Sequence, residues 1–275
     1  MVPARSASSP MRMLTTVNLD ADVKASVHTL DLMDTQIASY LRAGRRDPVR
    51  VGPFTVGFSE TSDNPYRNYA VPDDNARPTA EDVAALIAAF EARGRTPRLE
   101  YLPSACPSVQ PALERAGFVE EGLLPVMTVP TLIEPPAVAG VELVAADSDD
   151  TILAMATALN LAYDEPPPTE ADLTSHKGSR DRGGYTLLAR STDGEPVGGG
   201  LITVPIDGVA ELAGIGVVPS WRRRGIAALI THRLVQVAHD LGARHPFLMA
   251  ADDNATRVYT RVGFEITGRV LHISR

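Results

Sequence analysis

A segment rich in arginine and glycine, ELAGIGVVPSWRRRGIA, covers residues 211–227. In it a strand-like stretch ends in a Pro-Ser turn, and Arg222, Arg223 and Arg224 then precede Gly225 and an apolar helix. The first amides of a helix lack intrahelical acceptors, and the helix dipole favours negative charge there. Gly225 has no Cβ that would keep a phosphate away from the backbone, and guanidinium groups are forked donors suited to phosphate. The segment therefore predicts an anion site, although it has neither the P-loop ending nor a GxGxxG pattern.

The elements around this segment form the second half of the chain. Their predicted order is β-α-α-β-β-β-α-β-α-β, an α/β arrangement built on one sheet. Strands are predicted at VELVAA, 184–190, 196–206, ELAGIGVV, PFLMAA and a last segment through 273, and helices at about 149–163, 169–180, 225–241 and up to 262. The arginine-rich loop thus lies between a strand and the helix that begins at Gly225.

The first half repeats part of this order. A helix is predicted over 20–42, strand-like residues over 49–60, and a helix from Thr79, which with Asp82 is typical of a capping box, to Arg93. A strand RLEYL, a short helix ending in LERAGF and an extended run follow. The second half shows PFLMAA, a short helix ending in YTRVGF and an extended run, so we interpret the two halves as a duplication.

Composition gives the domain boundaries. Residues 1–13 read as a disordered leader, 14–130 as the first domain, and 141–275 as the second. The stretch 130–140 carries three prolines, and we predict a linker over 131–140.

Charge and cysteine content exclude several classes of protein. The chain has 275 residues with 26 Lys+Arg against 34 Asp+Glu, a formal charge of −8, which argues against a general nucleic-acid binder. A single cysteine, Cys106, excludes an internal disulfide framework and a multi-cysteine metal site, and the histidine spacing gives no metal motif. No apolar run is long enough for a transmembrane helix, and the N-terminus lacks the apolar block of a secretory signal. We therefore expect a cytoplasmic protein that does not bind membranes, nucleic acids or metals.

The second half resembles the Gcn5-related N-acetyltransferases (GNAT). The resemblance rests on a strand ending in Val217, Pro219 two residues later, and Arg222 to Ala227 in the pattern R-x-x-G-x-A. Downstream, NATRVYTRVGF is similar to the N…Y-x-x-x-G-F ending of that family. It covers roughly residues 140–275 and implies two tandem domains of mixed, mostly antiparallel sheets flanked by helices, with acetyl-CoA as co-substrate.

The resemblance implies a role for the loop. The backbone of Val217 and Val218 would bind the pantetheine arm in the manner of an added strand. The pyrophosphate of acetyl-CoA would be held by the loop and the first turn of the helix, at Arg222, Arg223, Arg224, Gly225, Ile226, Ala227 and Ala228.

Three further positions follow from the resemblance. Tyr259 matches the tyrosine that acts as general acid, because coenzyme A thiolate leaves poorly unless it is protonated or stabilised. Asn254 matches an asparagine that contacts the cofactor, but it precedes Tyr259 by five residues where the family more often has six or seven. Asp252 and Asp253 therefore stay alternatives for that position.

Glu211 corresponds to a strand glutamate that serves as general base in several members. In a regular strand, residues 211, 213, 215 and 217 would share one face. A bulge at Gly214 or Gly216 would shift this count. The alternative is a carboxylate at a strand edge that faces water.

The first half has VPDDNARPTAEDV where a cofactor loop would lie, with four acids and no Arg-x-x-Gly-x-Gly. Carboxylates repel phosphate, so we predict a degenerate GNAT-like domain without a cofactor site, which walls the acceptor cleft or stiffens the pair. The whole chain is then predicted to be an acetyl-CoA-dependent N-acetyltransferase acting on a primary amine of a small molecule or peptide. The alternatives are an inactive acyl-CoA sensor or regulatory module and a phosphate-ester binder. A homodimer stays open.

The sequence contains three weaker candidates for a functional role. Cys106 has no evident histidine partner and is interpreted as a buried or incidental thiol. Trp221 is interpreted as a loop anchor rather than a substrate contact. The loop 163–173 contains acids that could attract a cationic amine or simply be solvated: Asp164, Glu165, Glu170 and Asp172.

Overall fold

The computed structural model describes residues 33–45, 47–59 and 65–275, with only the backbone of Tyr66. The predicted leader and the first part of the helix predicted over 20–42 lie outside the described residues. The remaining part of that helix is present as α1, residues 33–43. In the part of the chain that is described, no helix is long and apolar enough to cross a bilayer.

The described part of the first half contains five strands and three helices. In chain order they are α1, β1 (Val49–Val51), β2 (Phe54–Gly57), β3 (Tyr69–Pro72), α2 (Ala80–Glu91), β4 (Arg98–Tyr101), α3 (Val109–Arg115) and β5 (Val119–Thr128). The capping box predicted at Thr79 is confirmed, since its hydroxyl accepts from the amide of Asp82 and the Asp82 carboxylate accepts in return. The segment predicted as one strand-like run over 49–60 contains the two strands of a hairpin. Strand β3 was not predicted, because its four buried residues stand between turn-rich segments.

The second half has the predicted order of six strands and four helices. They are β6 (Val141–Ala145), α4 (Asp149–Tyr163), α5 (Glu170–Asp181), β7 (Tyr185–Ser191), β8 (Pro196–Ile202), β9 (Val209–Val217), α6 (Ile226–Asp240), β10 (His245–Met249), α7 (Asp253–Arg261) and β11 (Glu265–Ser274). Residues 131–140, between β5 and β6, contain neither helix nor strand. The domain boundaries themselves stay a prediction.

All the strands belong to one sheet in the order β1-β2-β3-β4-β11-β5-β10-β9-β8-β7-β6. The last strand of the second half, β11, is inserted between β4 and β5, and β5 separates β11 from β10. The two halves therefore exchange their final strands, and β5 and β11 pair antiparallel along most of their length. The hydrophobic core of the first half accordingly includes Phe247, Val270 and Ile273 from the second.

Helices α4 and α6 cover opposite faces of the sheet. Their packing explains the three consecutive glycines of β8, whose sequence is PVGGGLI. Successive strand residues point to alternate faces. A Cβ on Gly199 would meet Met155 of α4, whereas one on Gly200 would meet Leu234 of α6, both closer than 3.0 Å. The glycines thus allow two helices to pack directly against this strand.

Strand β9 departs from regularity in two ways that matter for the site. A bulge lies opposite β8, where Leu201 pairs with Ala213 and Gly199 with Gly216, and Gly214 has a φ of +58°. On its other edge, β9 pairs with β10 in parallel only from Val209 to Glu211. The strand continues to Val217, so β9 and β10 separate beyond Glu211.

Candidate functional site

The loop before α6 has the backbone of an anion-binding turn. Arg223 has a φ of +64°, and Gly225, the N-cap of α6, has a φ of +86°. The first-turn amides of any helix lack intrahelical acceptors, and at Ile226, Ala227 and Ala228 no side chain among the described residues caps them. A Cβ at Gly225 would contact only Val138, at 3.4 Å. The open helix terminus, with its partial positive charge, fits the anion site that the sequence predicts.

The three arginines of the loop do different things. Arg222 donates from Nε to the carbonyl of Val217 at 3.0 Å and from its guanidinium to the carbonyl of Ala162 at 2.7 Å. Arg224 lies over the Trp221 ring, 4.4 Å from its centroid, and donates to the carbonyl of Ser220. Arg222 thus links β9 to the end of α4, and Arg224 fastens the loop to Trp221.

Arg223 is exposed like its two neighbours, but its side chain makes no hydrogen bond or ion pair with the described residues. Its guanidinium therefore keeps all of its donors for a ligand.

The backbone predicted to bind pantetheine lies at the end of β9, beside the gap that opens where β9 and β10 separate beyond Glu211. The amide of Val218 donates to the carbonyl of Val197 at 3.0 Å, and the carbonyl of Val217 accepts from Arg222. A carbonyl oxygen has a second lone pair, so the Val217 carbonyl can still accept from another donor. Whether Val217 and Val218 bind a cofactor stays a prediction.

Glu211 lies where β9 and β10 separate. Thr203 holds the backbone of Glu211. The Thr203 hydroxyl accepts from the amide of Glu211 at 3.0 Å and donates to its carbonyl at 3.2 Å, and the Thr203 amide donates to the same carbonyl at 3.0 Å. The Thr203 hydroxyl also bonds the hydroxyl of Tyr40, which lies in α1 of the other half. Glu211 is half-buried and lines a cavity rather than a bare strand edge.

The environment of Glu211 favours the protonated form. Burial raises the pKa of Glu211 to about 8, with Glu100 adding to this effect and Arg45 opposing it. Glu100 is itself buried beside Arg98 at 3.4 Å and His272 at 3.7 Å. A carboxyl group with a pKa near neutrality is suited to general base catalysis.

The bulge changes which residues of β9 point to the same face of the sheet. Gly216 faces α4, since a Cβ there would meet Leu159, and Ile215 lies against the α6 side near Gly200. Val217 therefore faces the α6 core, whereas Glu211 opens into the cavity beside α5. Residues 211 and 217 would share one face only in a regular strand, and the bulge shifts the count as the glycines indicated.

Tyr259 lies on α7 with its ring buried and 6.1 Å from that of Phe264. Burial, then the neighbouring Tyr163 and Asp252, raise the pKa of Tyr259 well above its usual value. Its hydroxyl makes no hydrogen bond with the described residues, whereas the hydroxyl of Tyr163 donates to the carbonyl of Ile215 on β9 at 3.0 Å. Tyr259 is thus protonated and neighbours Tyr163, which is bonded to β9.

Asn254 and Asp252 occupy the first turn of α7. The Asp252 carboxylate caps the helix by accepting from the amide of Ala255 at 2.7 Å. Asn254 is exposed and accepts from Arg257 at 2.9 Å. Asp252 is therefore occupied as a cap, and cofactor contact by Asn254 stays a prediction.

A cavity of about 1190 Å³ lies between the two halves and is called the interdomain cleft below. The first half contributes the α1–β1 segment, the end of β2 and the end of α2, and the second half contributes α5, the β8–β9 connection and Glu211. The cleft thus reaches the point at which β9 and β10 separate.

The corresponding loop of the first half differs. Helix α2 is capped by Thr79 and Asp82, and Glu81 adds a second acid to its first turn. The acids before it are paired, Asp73 with Arg50 at 2.7 Å and Asp74 with Arg42 at 2.7 Å. This helix terminus already has side-chain acceptors and negative charge, which disfavours a phosphate.

The structure also shows the surroundings of Cys106, Trp221 and the acids of the loop 163–173. Cys106 is buried, and burial raises the pKa of its thiol to about 12. Trp221 is partly buried against the core of the second half, as expected for a loop anchor. Among the four acids of the loop 163–173, Glu170 lines the cleft, whereas Asp172 caps α5 and pairs with Arg67 at 3.4 Å.

Several residues of the site were not predicted. Tyr40, Arg45 and Glu100 come from the first half, and their sequence neighbourhoods contain no motif that would single them out. They reach Glu211 because the halves fold against each other, which no local pattern reports. Thr203 could have been noticed only as a polar residue at the end of β8.

Comparisons with known proteins agree with this geometry. Residues 142–264 match the family model "Acetyltransferase (GNAT) family". Among solved structures, a GCN5-related N-acetyltransferase from Kribbella flavida is similar, with 27% identity, a TM-score of 0.73, and coverage of 88% of this chain and 95% of that one. None of the curated proteins matches the chain.

Two more distant structures show the same fold. A GCN5-related N-acetyltransferase from Sphaerobacter thermophilus has 20% identity and a TM-score of 0.62, covering 81% of this chain and 75% of that one. A tandem GNAT protein from the clavulanic acid biosynthesis pathway has 17% identity and a TM-score of 0.55, covering 92% of this chain and 95% of that one. The predicted fold class, a mixed and mostly antiparallel GNAT-like sheet flanked by helices, is confirmed, and the tandem protein together with the continuous sheet favours the predicted tandem arrangement.

Proposed function

We propose that the chain, in which residues 142–264 match the GNAT family model, transfers an acetyl group from acetyl-CoA to a primary amine. The amine attacks the thioester directly while both substrates are bound. The observation that carries this proposal is the separation of β9 from β10 just beyond Glu211, between an uncapped helix terminus and the interdomain cleft.

The residues present fit the co-substrate. The amides from Arg223 to Ala228 and the side chain of Arg223 would hold its pyrophosphate, since that helix terminus lacks a side-chain cap. Arg222 and Arg224 would shape the turn rather than contact phosphate. The backbone of Val217, on the edge of β9 that faces the gap, would hold the pantetheine arm, whereas the amide and carbonyl of Val218 are already bonded to Val197 and Trp221. When bound, acetyl-CoA supplies the thioester carbonyl that is attacked.

Glu211 would act as the general base. A lysine-type amine with a pKa of about 10.4 is neutral in fewer than about one molecule in a thousand at pH 7, so its proton must be removed before it attacks. Glu211 lines the cleft at the point where β9 and β10 separate, and Thr203 fixes its backbone.

Tyr259 would act as the general acid. Its raised pKa keeps the hydroxyl protonated, and the hydroxyl makes no competing hydrogen bond with the described residues. It would donate its proton to the departing thiolate. The first half would form the other wall of the cleft and would bind no acetyl-CoA.

A substitution at Tyr259 tests this assignment. We expect Tyr259→Phe to lower kcat by about 100-fold, a typical contribution of general acid catalysis, with the Kd for acetyl-CoA nearly unchanged. Release of coenzyme A with a panel of amines measures the first quantity, and calorimetry measures the second. Tyr185→Phe, which alters a partly buried tyrosine on β7, is the matched control. An equal loss of affinity and turnover would show that Tyr259 is structural, and a protein that binds acetyl-CoA without acetylating any amine would be a sensor instead.

A further inference from the structure

The interdomain cleft is lined by charges of both signs. Glu211 and, at the end of α5, Arg182 come from the second half, and Arg45, Arg67 and Arg93 come from the first. Arg67 pairs with Asp172, so its charge is balanced. The acids Asp47 and Glu170 line the cleft at exposed positions.

Arg45 and Arg93 are held without an acidic partner. The guanidinium of Arg45 lies over the Tyr69 ring, 3.8 Å from its centroid, and its Nε donates to the carbonyl of Leu41. The guanidinium of Arg93 lies over the Phe58 ring at 4.3 Å and donates to the carbonyl of Ala89. Within the described residues, neither forms an ion pair. Stacking on a ring fixes the plane of a guanidinium and leaves in-plane N–H groups for an oxyanion.

Helix α5 leaves room in front of these arginines. Between Glu170 at its start and Arg182 at its C-cap, which also line the cleft, the residues that it presents recur at helical spacing and are small: Ala171, Thr174, Ser175, Gly178 and Ser179. With about 1190 Å³ available, the cleft accommodates an acceptor that spans from Arg45 to Glu211.

We propose that the acceptor is an amine that also carries an anionic group, a carboxylate or a phosphate, which Arg45 and Arg93 bind while the amine faces Glu211. This inference rests on the proposed function. The two unpaired arginines neutralise the anion, and the ends of the acceptor are thereby oriented so that the nitrogen points towards the gap between β9 and β10.

Matched acceptors test the inference on the full-length protein. Amino acids are compared with their carboxamides, and O-phosphoethanolamine with ethanolamine, by release of coenzyme A and by mass spectrometry of the acetylated product. We expect kcat/KM to favour the anionic member, and the two pairs distinguish a carboxylate from a phosphate. Equal or better turnover of the neutral members, or turnover of none of the anionic amines, would overturn the inference.

Because amidation also changes the pKa of the amine, variants supply the decisive readout. Arg93→Gln and Arg45→Gln should each lower the anionic-to-neutral ratio of kcat/KM roughly 10- to 100-fold, mainly through KM, as expected for loss of a charge-assisted hydrogen bond. Lysine at either position should restore part of the ratio. Arg190→Gln, which removes an exposed arginine paired with Glu142 on the β6–β7 edge, should leave it unchanged. A ratio that is unchanged in both cleft variants would contradict the inference.

The proposed function can fail separately. If wild-type protein binds no acetyl-CoA in calorimetry, the acetyltransferase proposal itself is wrong. If acetyl-CoA binds and neutral amines are acetylated as well as anionic ones, only the acceptor class is wrong.

Discussion

Glu211, the proposed general base, lies in an environment that disfavours its charged form. Because its pKa is raised to about 8, the carboxylate that can accept a proton forms only as the pH rises through that value. We expect kcat/KM to increase up to about pH 8, and Glu211→Gln to remove this limb and lower the rate by about 100-fold or more. The pH–rate profile measured at saturating acetyl-CoA checks both points, with the exposed Glu142→Gln as control.

The same substitution should stabilise the fold. A carboxyl group with a raised pKa in the native state binds its proton more tightly when folded, so the free energy of unfolding falls as the pH rises from about 4.5 to 8. Glu211→Gln removes this loss, and its Tm should exceed that of the wild type more at pH 8 than at pH 5. A Tm difference independent of pH would show that Glu211 has an ordinary pKa.

Glu100 acts on Glu211 from a distance through its charge. Removing a neighbouring negative charge lowers the pKa of a carboxyl group, so Glu100→Gln should move the rising limb of the pH–rate profile to lower pH. Glu121→Gln is the matched control, because Glu121 also pairs with Arg98, at 2.9 Å, but does not perturb Glu211. Identical profiles for the two variants would contradict the coupling, provided that circular dichroism shows both to be folded.

Two neighbouring arginines of the loop between β9 and α6 are expected to differ, with Arg223 contributing to binding and Arg222 to stability. Arg223→Gln should weaken acetyl-CoA binding roughly five- to tenfold, about 1 kcal/mol, without changing Tm, since its side chain has no protein partner among the described residues. Arg222→Gln should instead lower the free energy of unfolding by about 1 kcal/mol, because it loses bonds to the carbonyls of Val217 and Ala162. Calorimetry and thermal melts distinguish the two, and the opposite assignment of effects would show that Arg222 is the phosphate ligand.

Local signals predicted the elements well and the directions of side chains poorly. The capping box at Thr79 and the apolar spacing after Gly225 placed α2 and α6, because both are decided within a few residues. The roles of Arg222 and Arg223 could not be told apart, since they depend on the positive φ of Arg223 and on where α4 ends. The bulge was foreseen from its glycines, but its effect on Glu211 needed the pairing with β8.

The arrangement of the whole chain was the least predictable feature. The repeated Gly-Phe endings indicated duplication, yet nothing in them shows that β5 and β11 are exchanged between the halves. That exchange joins the halves in one sheet, and the same association brings Tyr40, Arg45 and Glu100 to Glu211. A site assembled from residues more than a hundred positions apart has no local signature.

The two halves also differ in what their helix termini offer to a phosphate. Helix α6 begins uncapped at Gly225, whereas α2 is capped by Thr79 and Asp82. One half should therefore bind acetyl-CoA, and the other should not.

Calorimetric titration of the full-length protein with acetyl-CoA tests this most directly. We expect one binding site per chain, weakened by Arg223→Gln and unaffected by Arg50→Gln, which alters an arginine beside the α2 loop. No binding, two sites per chain, or weakening by the Arg50 variant alone would contradict the assignment of the co-substrate to the second half.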